Sequence, residues 1–217
     1  MSCLSPSQRQ LLAERGHSHQ LSRGDSIFRQ GEQPRSMFLV DEGLVKVTCS
    51  SGTGRDIITE LLFPGDVCGV LCGLDSRPYP VSAVCLTPTR ITEVPVEDFL
   101  KVSSQDDGLF GACSDVCRAK MHFQRDMTVA MAVERVEQRA ARVLCMLAKR
   151  LGKPGPNGLE LDFPLSRQDF SELIGTALET GIRALSSLRK QGLLEESGEH
   201  HLTLPDWPAL QKLAEGS

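Results

Sequence analysis

Three pairs of residues spaced four apart carry most of the chemistry this sequence could perform. Cys68 and Cys72 form the first pair, Cys113 and Cys117 the second, and Glu179 and Arg183 the third. On a helix, a spacing of four places both members on one face, so the two cysteine pairs could offer four thiolates to a metal ion or an iron–sulfur centre. The plainer role for each thiol is a small buried hydrophobe, and neither pair has the short-loop spacing of a zinc knuckle. The Glu–Arg pair suits a different task. An arginine can grip guanine O6 and N7, and a carboxylate can accept from the cytosine amino group, when both lie near the N-terminus of a groove-reading helix. Taken singly, Glu179 would serve as a helix cap and Arg183 as a solvated surface charge.

The elements expected to position Glu179 and Arg183 follow from capping and turn signals. Ser166-Arg167-Gln168-Asp169 opens a helix with a capping hydroxyl and an acidic residue three later, and that helix reaches Ile174. Gly175 supplies a turn. Thr176 and Glu179 repeat the capping-box spacing before a second helix that runs to Gln191 and stops at Gly192. Two capped helices around a glycine turn read as a helix-turn-helix. Spacings of three and four sort the second helix into a packing face of Gly181, Ala184, Leu185 and Leu188 and an outer face of Glu179, Ile182, Arg183 and Ser186. Thr180 joins that outer set as a DNA contact, with Arg167 and Lys190, beside Arg189, available for phosphates. Leu159 to Phe163 alternates as a strand, and Leu193 to Glu196, a Ser197-Gly198 turn and His200 to Leu204 predict a hairpin wing.

Upstream, from about Gln20 to Val96, short apolar runs such as Met37 to Val40, Val45 to Val47 and Ile57 to Leu62 are punctuated by Gly31, Gly43, Gly52, Gly54 and Gly65. That punctuation predicts an all-β antiparallel barrel or roll. From Leu109 to Leu151 there is no proline, and Val129, Val133, Val136, Ala140, Val143 and Leu147 recur at helical spacing. The plainer role for that stripe is one face of an ordinary core; because a helix of that length leaving a small roll needs a partner, it is expected instead to be a dimer seam. Gly152 to Gly158, with Pro154 and Pro156, is expected to be a linker.

The 217 residues can bury one sizeable core or two smaller ones. A net charge of −4 and a pI near 5.8 do not advertise a nucleic-acid binder, yet net charge bears on solubility more than on fold, and a small basic face can sit on an acidic protein. The eight cysteines follow no disulfide framework. No leader pattern and no apolar run of membrane-spanning length is present, which predicts a cytoplasmic protein with no membrane partner. An enzyme is not expected, since no nucleophile–base pattern, phosphate loop or His-Glu metal motif occurs.

Gly43 to Val47, Leu61 to Gly69 with its Pro-Gly-Asp turn, Glu137 to Leu144, Leu165 to Asp169 and Glu179 to Arg183 together resemble the cyclic AMP receptor protein and fumarate–nitrate reduction regulator (Crp–Fnr) family across nearly the whole chain. The resemblance implies an α+β chain with an antiparallel, cyclic-nucleotide-binding-like β-roll, a long dimerisation helix and a winged helix-turn-helix. The expected boundaries are residues 1–108, 109–150 and 151–217. It implies a homodimeric transcription regulator that reads a palindromic site in double-stranded DNA and works with RNA polymerase, controlled by an effector, redox or gas signal. The rival is a protein-interaction or cyclic-nucleotide-responsive module without specific DNA recognition.

Departures from the family bear on the signal. Cyclic-nucleotide binders place a Glu after the cassette glycine and an Arg before a Ser-Ala pair; here Val70 and Val81 stand there, so cyclic AMP is not expected. The iron–sulfur members use a tight N-terminal cysteine cluster and a further cysteine in the last roll strands, whereas this chain has Cys3 alone and Thr92. The open choices are haem, with His17, His19 and His122 as axial ligands, or a metal or iron–sulfur centre on Cys68, Cys72, Cys113 and Cys117.

Overall fold

The computed structural model describes residues 4–50, 56–104, 107–196 and 200–216. The chain divides into two compact units, Met1–Gln124 and Arg125–Ser217. In the first unit, α1 (Pro6–Ala13) precedes β1 (His17–Leu21), β2 (Ser26–Phe28), β3 (Ser36–Glu42), β4 (Val45–Ser50), β5 (Asp56–Leu62) and β6 (Val67–Cys68). Then come α2 (Val70–Asp75), β7 (Ser82–Cys85), β8 (Thr89–Pro95), α3 (Val96–Ser103) and the start of α4 (Asp107–Val133). The strands form two antiparallel four-stranded sheets, in the orders β1-β8-β3-β6 and β2-β7-β4-β5. This is the expected roll. Gly31, Gly43 and Gly65 fall between strands as their type suggested; Gly52, Gly54 and Cys3 lie outside the described residues.

Two apolar clusters hold this unit together. One, with Phe28, Phe38, Val45, Val47, Leu62, Cys68, Tyr79, Cys85 and Ile91, fills the roll interior. The other places Leu12, Met37, Val67, Phe99 and Val102 with Leu109, Cys113 and Val116 of α4. Leu109, Cys113 and Val116 thus form a stripe at spacings of four and three, and Lys120 continues it.

The second unit contains the end of α4, then α5 (Val136–Leu151), β9 (Lys153–Gly155), β10 (Gly158–Asp162), α6 (Arg167–Leu173), α7 (Leu178–Lys190), β11 (Glu195–Glu196), β12 (His201–Leu204) and α8 (Trp207–Glu215). Its sheet runs β11-β12-β10-β9. Here the structure corrects two local readings. The Gly-Pro run is not a linker: Lys153 to Gly155 pair with Gly158 to Glu160 as a hairpin, because the Gly, Pro and Asn that mark linkers also make tight turns. The apolar stripe also splits in two. Ala140, Val143 and Leu147 are buried in this unit's core, whereas Val129 and Val133 on α4 are 56% and 77% exposed.

Buried Arg139 ties several pieces of this unit together. Its Nε donates to the carbonyl of Ile174 at 2.9 Å, just past α6, and its Nη1 to the carbonyl of Glu134 at 2.9 Å, just past α4. Both carbonyls lie at helix ends, where no further turn would satisfy them.

Candidate nucleic-acid interface and sensor region

Ser166 caps α6 as its sequence suggested: its Oγ accepts from the Asp169 amide at 3.0 Å while Asp169 reaches back to the Ser166 N–H at 3.2 Å. Gly175 turns the chain at φ +68°, a conformation that costs a side-chain-bearing residue but not glycine. Thr176 does not cap the second helix. Its amide instead donates to Ser171 at 2.9 Å and closes the end of α6, so α7 begins one residue later, with Ala177 at the cap and no side-chain oxygen.

α7 then separates cleanly into two faces. Gly181, Ala184, Leu185 and Leu188 are buried. A methyl group added at Gly181 would collide with the Ser171 hydroxyl of α6, so glycine is what lets the two helices cross this closely. Glu179, Ile182 and Arg183 are exposed, Thr180 and Ser186 half-buried beside them. The Arg183 guanidinium donates to Thr180 Oγ1 at 3.0 Å. Lys190 and Arg189 are exposed at the C-terminal end. Arg167 is held differently from a free phosphate contact: its Nη2 pairs with Glu196 at 2.8 Å, linking the first turn of α6 to β11. β11 and β12 pair antiparallel as a wing, and the Ser197-Gly198 turn between them lies outside the described residues.

In the first unit the cysteine pairs meet another fate. Cys68 lies in the roll cluster and Cys113 in the cluster under α4; both are buried, while Cys72 and Cys117 are half-buried. Burial pushes the Cys68 thiol up to about 12 and that of Cys113 to about 11, and raises Cys72 and Cys117 as well. Cys68 ends β6 while Cys72 lies in α2, so that pair does not share one helix face as its spacing suggested. Among the described residues no group of three or more His, Cys, Asp or Glu side chains is placed to hold a metal ion. The described thiols therefore do not fit an iron–sulfur or metal centre. His19 pairs with Glu93 at 3.0 Å, and His17 and His122 are exposed.

The cassette that would bind a cyclic phosphate is also visible. Gly69 precedes α2, Val70 behind it is buried, and Val81 stands before Ser82 of β7. Alongside, Phe28 stacks on Tyr79 with centroids 4.0 Å apart and on Phe38 at 5.7 Å, and the Tyr79 hydroxyl donates to the Ser36 carbonyl at 2.9 Å. Arg77 is directed to Asp75 on the surface at 3.6 Å and supplies no charge to this interior.

One functional-looking contact escaped the sequence reading. Lys120 of α4 is largely buried; its Nζ donates to the Val67 carbonyl at 2.8 Å and pairs with Glu60 of β5 at 2.9 Å. Burial alone would lower the Lys120 ammonium, but the Glu60 carboxylate outweighs it and holds the group above the usual lysine range. The signal was its place in the stripe of Leu109, Cys113 and Val116, where a charge demands a buried partner.

Residues 18–106 match the model of the cyclic nucleotide-binding domain, and residues 138–213 that of the Crp-like helix-turn-helix domain. The chain belongs to the Crp–Fnr family of transcription regulators. It is 27% identical over 179 residues to the transcriptional activator protein FnrA of Stutzerimonas stutzeri, covering 82% of this chain and 73% of that one. To the fumarate and nitrate reduction regulatory protein of Escherichia coli K12 it is 24% identical over 194 residues, covering 89% and 77%. Its fold is similar to that of FixK2 from Bradyrhizobium japonicum, with a TM-score of 0.81 at 23% identity over 91% of this chain and 96% of that one. As a Crp–Fnr protein it is a DNA-binding transcription regulator and not an enzyme. Among the described residues no helix is long and apolar enough to cross a membrane.

Proposed function

We propose that this Crp–Fnr chain acts as a homodimer that places α7 of each protomer in the major groove of a palindromic site. In this reading residues 1–108 form the sensor, 109–150 the dimerisation helix and hinge, and 151–217 the DNA reader. Glu179, Thr180, Ile182, Arg183 and Ser186 face the base edges, and Lys190 a phosphate. Arg167 reaches a phosphate only by loosening its hold on Glu196. The observation that carries the reading is the division of α7, whose apolar side is consumed by packing while Glu179, Ile182 and Arg183 stay exposed. Exposed Val129 and Val133 on α4 support pairing of that helix with a second copy, since apolar groups on a long helix gain by mutual burial. The relatives named as activators support an output through RNA polymerase, in the cytoplasm where that enzyme works.

The signal in this reading is a small effector, gas or redox input other than cyclic AMP. Val70 and Val81 lack the polar contacts a cyclic phosphate needs, and the Phe28–Tyr79–Phe38 stack occupies the roll interior. Binding-site selection with the purified chain is expected to return an inverted repeat, and Val129→Glu with Val133→Glu to yield monomers of weakened affinity. A monomeric wild type with full operator affinity would overturn the dimer. A tight, stoichiometric cyclic AMP isotherm by calorimetry would overturn the exclusion of that ligand.

A further inference from the structure

We infer that Ile182 reads thymine: its side chain packs on the C5-methyl group of one thymine in each half-site, between the base pairs contacted by Glu179 and Arg183. The inference rests on α7 being the recognition helix. Ile182 is 42% exposed and lies outside the buried face of α7. The buried side of α7 is already supplied by Ala184, Leu185 and Leu188, and the crossing with α6 at Gly181 rejects even a methyl group. Helix propensity does not favour a β-branched residue at an exposed site either. Three residues before Ile182 on the same side lies Glu179, and four after it Ser186.

The neighbouring arginine leaves the isoleucine uncovered, because the Arg183 guanidinium is drawn toward the helix N-terminus by Thr180. The outer face therefore offers an acceptor, a cation and one exposed apolar knob, with half-buried Leu178 one turn before it. The major-groove edge of B-DNA offers one apolar feature to match that knob, the thymine methyl, which distinguishes T·A from every other pair. Covering it would remove both apolar surfaces from water.

The test first selects a preferred half-site from randomised DNA with the full chain, then replaces each thymine in turn by uracil, which deletes only the methyl. At one position uracil should weaken binding about fourfold per half-site, and on the order of fifteenfold when both half-sites carry it. The same uracil should cost Ile182→Ala nothing, with an unchanged thermal melt, while Arg183→Ala keeps the uracil penalty. The uracil series on the wild type needs no variant. Specific binding without any uracil penalty, or a penalty equal in wild type and Ile182→Ala, would overturn the inference and leave α7 as the reader. Failure to select any sequence would overturn the reader assignment and this inference with it.

Discussion

Cys113 and Cys117 on α4, and Glu179 and Arg183 on α7, share a spacing of four, yet the structure treats the pairs in opposite ways. Cys113 belongs to the stripe of Leu109 and Val116 that packs into the first unit, and burial raises its thiol to about 11. Glu179 and Arg183 stand outside the stripe of Gly181, Ala184, Leu185 and Leu188, and remain exposed. Spacing says that two residues share a face. The apolar residues between them say which face it is, and therefore whether the pair meets solvent and ligand or is sealed away.

Lys120 breaks that comparison most sharply, as a charged residue on the buried face. Lys120→Met leaves the Glu60 carboxylate buried without its cation and is expected to cost about 3–5 kcal/mol of first-unit stability. Pairing it with Glu60→Leu should return most of the loss in a thermal melt. The lysine's folded value lies above its unfolded one of about 10.4, so its contribution is complete below that pH and is lost as pH rises through the folded value. Wild type should accordingly lose more stability on the alkaline side than Lys120→Met does.

Leu188→Ala and Arg183→Ala sharpen the contrast within one helix. Leu188 is fully buried, and its truncation opens a cavity expected to cost about 2–5 kcal/mol, seen as a lowered melting temperature. Arg183→Ala should melt like wild type but lose about 1–3 kcal/mol of binding per half-site and relax preference at one base position. An Arg183 variant with wild-type consensus and affinity would remove Arg183 from the reading face.

The smallest expected effect is on the thiols. With Cys68 raised to about 12 and Cys113 to about 11, almost no thiolate exists near neutral pH, so alkylation of the native protein should spare both until it is unfolded. Mass-mapped labelling of either ahead of half-buried Cys72 and Cys117 would contradict their burial.

The roll strands and the two helices of the reader were legible because each carries its own signal: short apolar runs between glycines, and a Ser166–Asp169 capping box. What stayed hidden depended on partners distant in sequence. Lys120's place in the α4 stripe called for a buried partner, but Glu60 becomes that partner only once β5 and α4 are packed. Lys153 to Gly158 carried the right turn residues but no sign that β10 would pair with β9. Thr176 is not the cap because it still belongs to the closing turn of α6, its amide donating to the Ser171 carbonyl, and α7 starts one residue later from Ala177.

Arg139 gives the reader a mechanical property. By holding the carbonyls of Glu134 and Ile174 at 2.9 Å each, one guanidinium latches the last turn of α4 to the corner between α6 and α7. Met131 of that same α4 segment abuts Gly175 at the corner. Within the second unit, the last turn of α4 and the corner between α6 and α7 are therefore clamped together as one piece. Arg139→Ala would strip both carbonyls of that donor and turn the clamp into a loose joint, expected as a lowered melting temperature and faster amide exchange at the end of α4 and at the corner.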